Sequence, residues 1–187
     1  MRDPVLGDAL LARARNAVAA ELACAPGTEP WHPRLTQPGA TFVTLRLHGE
    51  LRGCIGSLAA TRPLDEDVRA NAVAAAFRDP RFAPLTAAEF SATRFEVSLL
   101  APPQPLAARD EAELLRVLRP HVDGVVLRCG DRRATLLPQV WDSLPDPRDF
   151  VRALKRKAGL PAAFWSDALV FERYEVIKFD EAVEAQP

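Results

Sequence analysis

The chain is poor in cysteine, in glycine and in net charge. Among 187 residues there are three cysteines, Cys24, Cys54 and Cys129. An odd count with no CxxC pair and no zinc-ligand spacing excludes a disulfide framework and the common zinc sites. It reads as reduced thiols in a cytoplasmic protein. No apolar run approaches the roughly 18–20 residues that a membrane helix needs. The first twenty residues carry Asp3, Asp8, Arg13 and Arg15 instead of the unbroken apolar stretch of a secretory signal. The expectation is therefore no membrane. Twenty-four basic against 25 acidic residues leave a net charge of −1, which argues against nucleic acid as a partner. Neither GxxxxGK[ST] nor GxGxxG occurs, so those phosphate cradles are excluded. No His/Asp/Glu cluster suggests a metal site, and no pattern names a cofactor.

What is present is enough apolar material for a core: 48% hydrophobic against 26% charged residues. The length suits one domain over 1–187, and 17 prolines imply stiff connections. Leu6, Leu10, Ala14, Val18 and Leu22 recur every four residues and predict a helix over 4–22. Residues 41–48 alternate as a strand. Gly49 suits the first central position of a type II′ turn, returning the chain as a strand over 51–57. A second helix is expected over 62–79, capped by Thr61, with Asp65, Glu66 and Asp67 near its positive end. Residues 95–100 read as a strand, 110–118 as a short helix, and 122–129 with 133–137 as a hairpin turning at Gly130 and Asp131. A third long helix starts around Asp146 and Pro147 and ends at Gly159. Residues 169–179 read as one last strand. Helices and hairpins without regular βαβ alternation predict an α+β fold with an antiparallel or mixed sheet.

The most unusual stretch is Leu51–Leu58, LRGCIGSL. Two glycines, Gly53 and Gly56, bracket Cys54 and Ile55. Glycine weakens a strand, so each needs a reason: close approach of a ligand or a backbone, or a bend. Exposed amides beside them could cradle an anion. In extended chain Arg52 and Cys54 project from one face, and a nearby guanidinium stabilises a thiolate, the setting of a nucleophile. Against this stands a small buried thiol with glycines that serve packing. A turn centred on Gly49 and Glu50 puts Cys54 opposite Leu45 on the apolar face; a one-residue slip puts it with Thr44 and Arg46.

Other residues could act with it. Glu96 shares a strand face with Ser98 and could accept a proton or bind an amine or hydroxyl. Gln139 and Trp141 flank a proline turn and could hold a planar ring, although Trp141 could equally plug the lobe junction. Lys155, Arg156 and Lys157 crowd a helix end, where macrodipole complementarity and solvation account for them. His32, His48 and His121 show no arrangement with Cys54 that suggests a catalytic base.

Several segments carry a family resemblance. LRGCIGSL at 51–58 resembles the hallmark of the AMMECR domain family, whose microbial members are known as AmmeMemoRadiSam system protein A. DPRFAPL at 79–85 is similar to that family's DPRFPPL, EVSLLAP at 96–102 to its EVSVLSP, and TLLPQVWD at 135–142 to its TFLPQVWE. KAGL at 157–160 and the late strand also fit. The resemblance implies an α+β fold with a larger and a smaller lobe and a cleft near the LRGCIG hairpin. It implies possible partners, a Memo-like protein and a radical SAM protein, and no settled reaction. Glu96 and Lys157 fall on family positions, so Lys157 becomes the preferred anion contact.

The expectation is a site around Arg52, Gly53, Cys54 and Gly56, with Cys54 and Glu96 as catalytic candidates and Gln139, Trp141 and Lys157 as ligand contacts. The chemistry would be thiol-dependent group transfer or hydrolysis on a small or nucleotide-like substrate. The alternative is a non-catalytic adaptor for the two partner proteins.

Overall fold

The computed structural model describes residues 3–181. The chain runs through helix α1 (Pro4–Glu21), strands β1 (Pro38–Gly39), β2 (Thr41–Leu47), β3 (Glu50–Gly56) and β4 (Arg62–Pro63), then helices α2 (Leu64–Phe77) and α3 (Ala87–Phe90). Strands β5 (Thr93–Leu100) and β6 (Gln104–Pro105), helix α4 (Glu111–Val117), the hairpin β7 (Gly124–Cys129) and β8 (Arg132–Leu136), helix α5 (Pro147–Lys157) and strands β9 (Val170–Tyr174) and β10 (Val176–Asp180) follow. The α+β expectation holds, and the pairings resolved between these strands are antiparallel.

The chain forms two compact units, one from the residues up to Leu100 with those from Ile177 on, the other Ala101–Val176. In the first, a four-stranded sheet in the order β10-β5-β2-β3 carries α1 and α2 on one face. Alternation dictates this arrangement. Val43 and Leu45 of β2 and Phe95, Val97 and Leu99 of β5 point into a core shared with Leu10, Ala14 and Val18 of α1 and Val68, Ala72 and Ala75 of α2. Alanines on α2 let the helix backbone settle close to the sheet.

Three expectations need correction. The hairpin turns at His48–Gly49, not Gly49–Glu50: Leu47 pairs with Glu50, and φ is positive at both central residues (54° and 87°), as a type I′ turn requires. Helix α2 begins at Leu64 after Pro63, with no side-chain cap from Thr61; its acidic first turn, Asp65, Glu66 and Asp67, serves the positive helix end instead. The last strand is two strands parted at Glu175. β9 pairs with β6 and β7, whereas β10 lies beside β5. One apolar run thus serves two sheets, which periodicity within the run does not reveal.

The second unit is a sheet in the order β6-β9-β7-β8 with α4 and α5. Its core gathers Leu114, Val125, Leu127, Phe150, Val151, Leu154 and Phe171 around Trp141, which is wholly buried.

Candidate functional site

The geometry of the LRGCIG strand follows from one extra residue. Leu45 pairs with Gly53 and Arg46 with Leu51, so Arg52 is left over and the strand bulges there. A bulge shifts every later side chain to the opposite face. From His48–Gly49 a regular ladder would set Cys54 opposite Val43, facing the core. With the bulge it stands opposite Thr44, which in turn stands opposite Glu96 of β5. Cys54, Thr44 and Glu96 therefore form a cross-strand row on the sheet face away from α1 and α2, all three half-buried.

Within that row the Thr44 hydroxyl donates to Cys54 Sγ at 3.3 Å. Glu96 accepts from Arg46 Nε at 2.5 Å, an ion pair between neighbouring strands on the same face. The expected face-sharing of Glu96 and Ser98 holds, since Phe42 pairs with Ser98 and Thr44 with Glu96.

The residues around Cys54 are engaged as follows. Arg52 is turned to the segment after α2: its guanidinium binds both oxygens of Glu89 (3.0 and 3.2 Å) and the carbonyls of Ala83 and Pro84. The cation next to the cysteine is Arg81, whose Nη2 lies 3.4 Å from the Cys54 carbonyl oxygen. Asp79 completes the arrangement by accepting from the Cys54 amide (2.9 Å) and from the Arg81 guanidinium (2.6 Å). The Arg81 guanidinium first, then the Cys54 and Arg81 amides, hold the buried Asp79 carboxyl well below the usual carboxylate range. The segment Asp79–Arg81 thereby occupies the free edge of β3 at Cys54, an edge that would otherwise present unpaired backbone groups. Sequence reasoning missed this role. The signal available was the DPRFAPL segment itself, whose Asp and Arg two residues apart can chelate one peptide group from both sides.

Both glycines are explained by packing. A Cβ on Gly53 would run into the carbonyl of Ala75 in α2, and one on Gly56 into the Phe42 ring. Past Gly56, Ser57 Oγ donates to buried Asp67 (2.6 Å), which also accepts from the Thr41 amide and hydroxyl, Asn71 and Arg62. This polar network, unforeseen from sequence, ties the end of β3 to α2 with the lone pairs of a buried carboxylate satisfied.

The remaining candidates lie in the second unit. Trp141 is fully buried, stacked on Phe150 (3.8 Å between centroids, 4° between planes), with Nε1 donating to the Asp123 carbonyl at 2.7 Å. No ring face is left for a ligand: Trp141 is part of the core of this unit. Gln139 is exposed on the short turn before it. Lys157 is exposed and its Nζ donates to the Thr135 carbonyl at 2.9 Å. Lys155 departs from the expected solvated helix end: it is wholly buried and paired with Glu111 at 2.6 Å. Among the histidines, His32 contacts Asp3 and His121 contacts Asp142, while His48 occupies the hairpin turn. Among the described residues no group of three or more His, Cys, Asp or Glu could hold a metal ion, and no helix is long and apolar enough to cross a membrane.

Comparison with known proteins agrees with the motif resemblance. The AMMECR1 family model matches residues 11–179. A protein of Thermofilum pendens is 39% identical over 172 residues, covering 84% of this chain and 81% of its own. A protein of Methanopyrus kandleri is 34% identical over 188 residues, covering 90% and 89%. The crystal structure of an uncharacterised protein from Pyrococcus horikoshii superposes with a TM-score of 0.78 at 30% identity, over 100% of this chain and 96% of that one.

Proposed function

We propose, for a chain that belongs to the AMMECR1 family, that the outer sheet face around Cys54 is a small-molecule site with the thiol as its reacting group. The observation that carries this is the bulge at Arg52, which turns Cys54 from the core face to the row with Thr44 and Glu96. Bulges re-aim side chains beside active sites. A purely structural cysteine would be served by the regular ladder. The chemistry such a row supports is group transfer or hydrolysis on a small or nucleotide-like substrate. Cys54 sulfur bonds to an electrophilic carbon as the bond to the leaving group breaks, and the thiol proton leaves with that group. Glu96 stands one strand beyond Thr44 on the same face, so it takes up that proton only by way of a group between them and once Arg46 yields. Water or an acceptor then releases the transferred group. The test is alkylation of the folded protein by iodoacetamide. Labelling at Cys54 without denaturant supports the reading; labelling only after unfolding refutes it.

A second reading has its own support. Arg52, Gly53 and Gly56 are committed to Glu89, to the Ala75 carbonyl and to the Phe42 ring. The hairpin would then be a rigid surface of a non-catalytic adaptor for a Memo-like and a radical SAM protein in the cytoplasm. Cys54→Ala and Cys54→Ser separate the two. Unchanged binding of both partners and full pathway output in both variants favour the adaptor.

A further inference from the structure

A recess in the second unit takes no part in the reading above. It measures about 590 Å³ and is lined by Glu111, Asp149, Arg152, Arg156, Ala162 and Ala163. That volume lies within the range of small-molecule sites. Its wall is one face of α5. Asp149, Arg152 and Arg156 follow at three- and four-residue steps, so they stand above one another on successive turns. The opposite side comes from Glu111 at the start of α4 and from the two alanines after α5, whose short side chains leave the space open.

The charges in the recess are unequally committed. Lys155 lies wholly buried beneath it, its ammonium satisfied by Glu111 (2.6 Å), the Ala162 carbonyl (3.4 Å) and the Trp165 ring (5.5 Å). It neutralises Glu111 on one oxygen, Oε2, and no hydrogen bond to Oε1 is found among the described residues. Arg152 reaches Asp149 only at 3.4 Å, with both side chains about half exposed (49% and 56%). Arg156 has no ion pair or hydrogen bond from its guanidinium among the described residues. The recess thus displays two guanidiniums one turn apart, one of them uncommitted, beside two carboxylates with spare acceptor capacity. A phosphate would meet both carboxylates with like charge. A molecule bearing one anionic and one cationic group meets complementary partners at both ends.

We propose that this recess is a binding site for an α-amino acid, its carboxylate held by Arg152 and Arg156 and its ammonium by Asp149 and the free oxygen of Glu111. The site is independent of Cys54 and of either reading of the LRGCIG face.

The experiment uses the full chain and two-dimensional amide NMR, titrating each of the twenty free amino acids, then the amide and N-acetyl forms of the best binder, then inorganic phosphate. At least one free amino acid is expected to shift resonances of residues 147–163, and both blocked forms to bind about tenfold or more weakly, as loss of a charged hydrogen-bonding end implies. Arg156→Gln should weaken binding by a similar factor with the melting temperature unchanged, because that guanidinium holds nothing else in the fold. Absence of shifts with all twenty, equal binding of the N-acetyl form or of phosphate, or undiminished binding by the Arg156→Gln protein each overturns the assignment.

Discussion

Cys54 faces Thr44 across the β2–β3 ladder because Arg52 is one residue more than the ladder needs. The consequence for chemistry is direct, since the Thr44 hydroxyl becomes a donor to the sulfur at 3.3 Å. Thr44→Val keeps the shape and removes the donor. Its stability cost should be about 1 kcal/mol or less, in line with a single neutral hydrogen bond. Alkylation of Cys54 should nevertheless change in rate several-fold, because the sulfur loses its hydroxyl partner. Timed mass spectrometry of labelled protein measures the rate; an unchanged rate would show that Thr44 does not tune the thiol.

The two glycines of the motif differ in what opposes them, and the difference is measurable. Gly53 lies against the backbone carbonyl of Ala75, which cannot move without moving α2. Gly56 lies against the Phe42 side chain, nearest at Cγ, so only a change of rotamer about the Cα–Cβ bond relieves it, which leaves the backbone in place. Gly53→Ala should cost about 1–3 kcal/mol, as overpacking of a rigid site does, and Gly56→Ala clearly less. Urea unfolding midpoints of the two variants provide the comparison, and equal losses would contradict the packing account of Gly53.

Much of this architecture was legible in the residues. Period-four leucines and alanines placed α1, and alternation placed Glu96 and Ser98 together on β5. The alternating residues on either side of Gly49 marked the β2–β3 hairpin that carries the octapeptide. What escaped did so for physical reasons. A bulge leaves no mark on composition: Arg52 reads as an ordinary strand residue until its partner strand is known, and the face of Cys54 depends on it. The turn escaped because His48 adopts positive φ, which non-glycine residues as a class adopt only in a few per cent of cases, although histidine, like asparagine and aspartate, does so more often than the rest. The burial of Lys155 escaped because its partner, Glu111, comes from a different helix, and a helix-end lysine is ordinarily solvated.

Acid should loosen the anchor of Arg52. The Arg52 guanidinium first, then the Thr86 amide and hydroxyl, lower the Glu89 carboxyl from 4.5 to about 2 in the folded protein. A carboxyl whose folded value is depressed contributes stability that is complete above its unfolded value and is lost as pH falls toward the folded one. The window is therefore about pH 4.5 down to about pH 2. Asp79, lowered by Arg81 and the Cys54 amide, adds a loss in the same direction below its ordinary 3.8. Glu89→Gln should remove part of the decline and lower stability at pH 7. Denaturant unfolding at a series of pH values tests both, and a Glu89→Gln profile parallel to the parent's would deny the linkage.

The buried pair Lys155–Glu111 makes a last, asymmetric prediction. The Lys155 ammonium has lost its water entirely, and its charge is balanced by Glu111, whose side chain is 31% exposed. Removing the carboxylate alone, as in Glu111→Ala, leaves an ammonium with only the Ala162 carbonyl and the Trp165 ring, and should cost about 3 kcal/mol, less where water enters through the exposed side of Glu111. Removing the cation is gentler. Lys155→Met fills similar space with an apolar chain, eliminates the desolvation cost and returns Glu111 to solvent, so its stability should fall within about 1 kcal/mol of the parent or exceed it. The double variant Lys155→Met with Glu111→Ala should then resemble Lys155→Met alone. Chemical unfolding of the three proteins decides the matter. A larger loss for Lys155→Met than for Glu111→Ala would mean that the ammonium is held by more than its carboxylate.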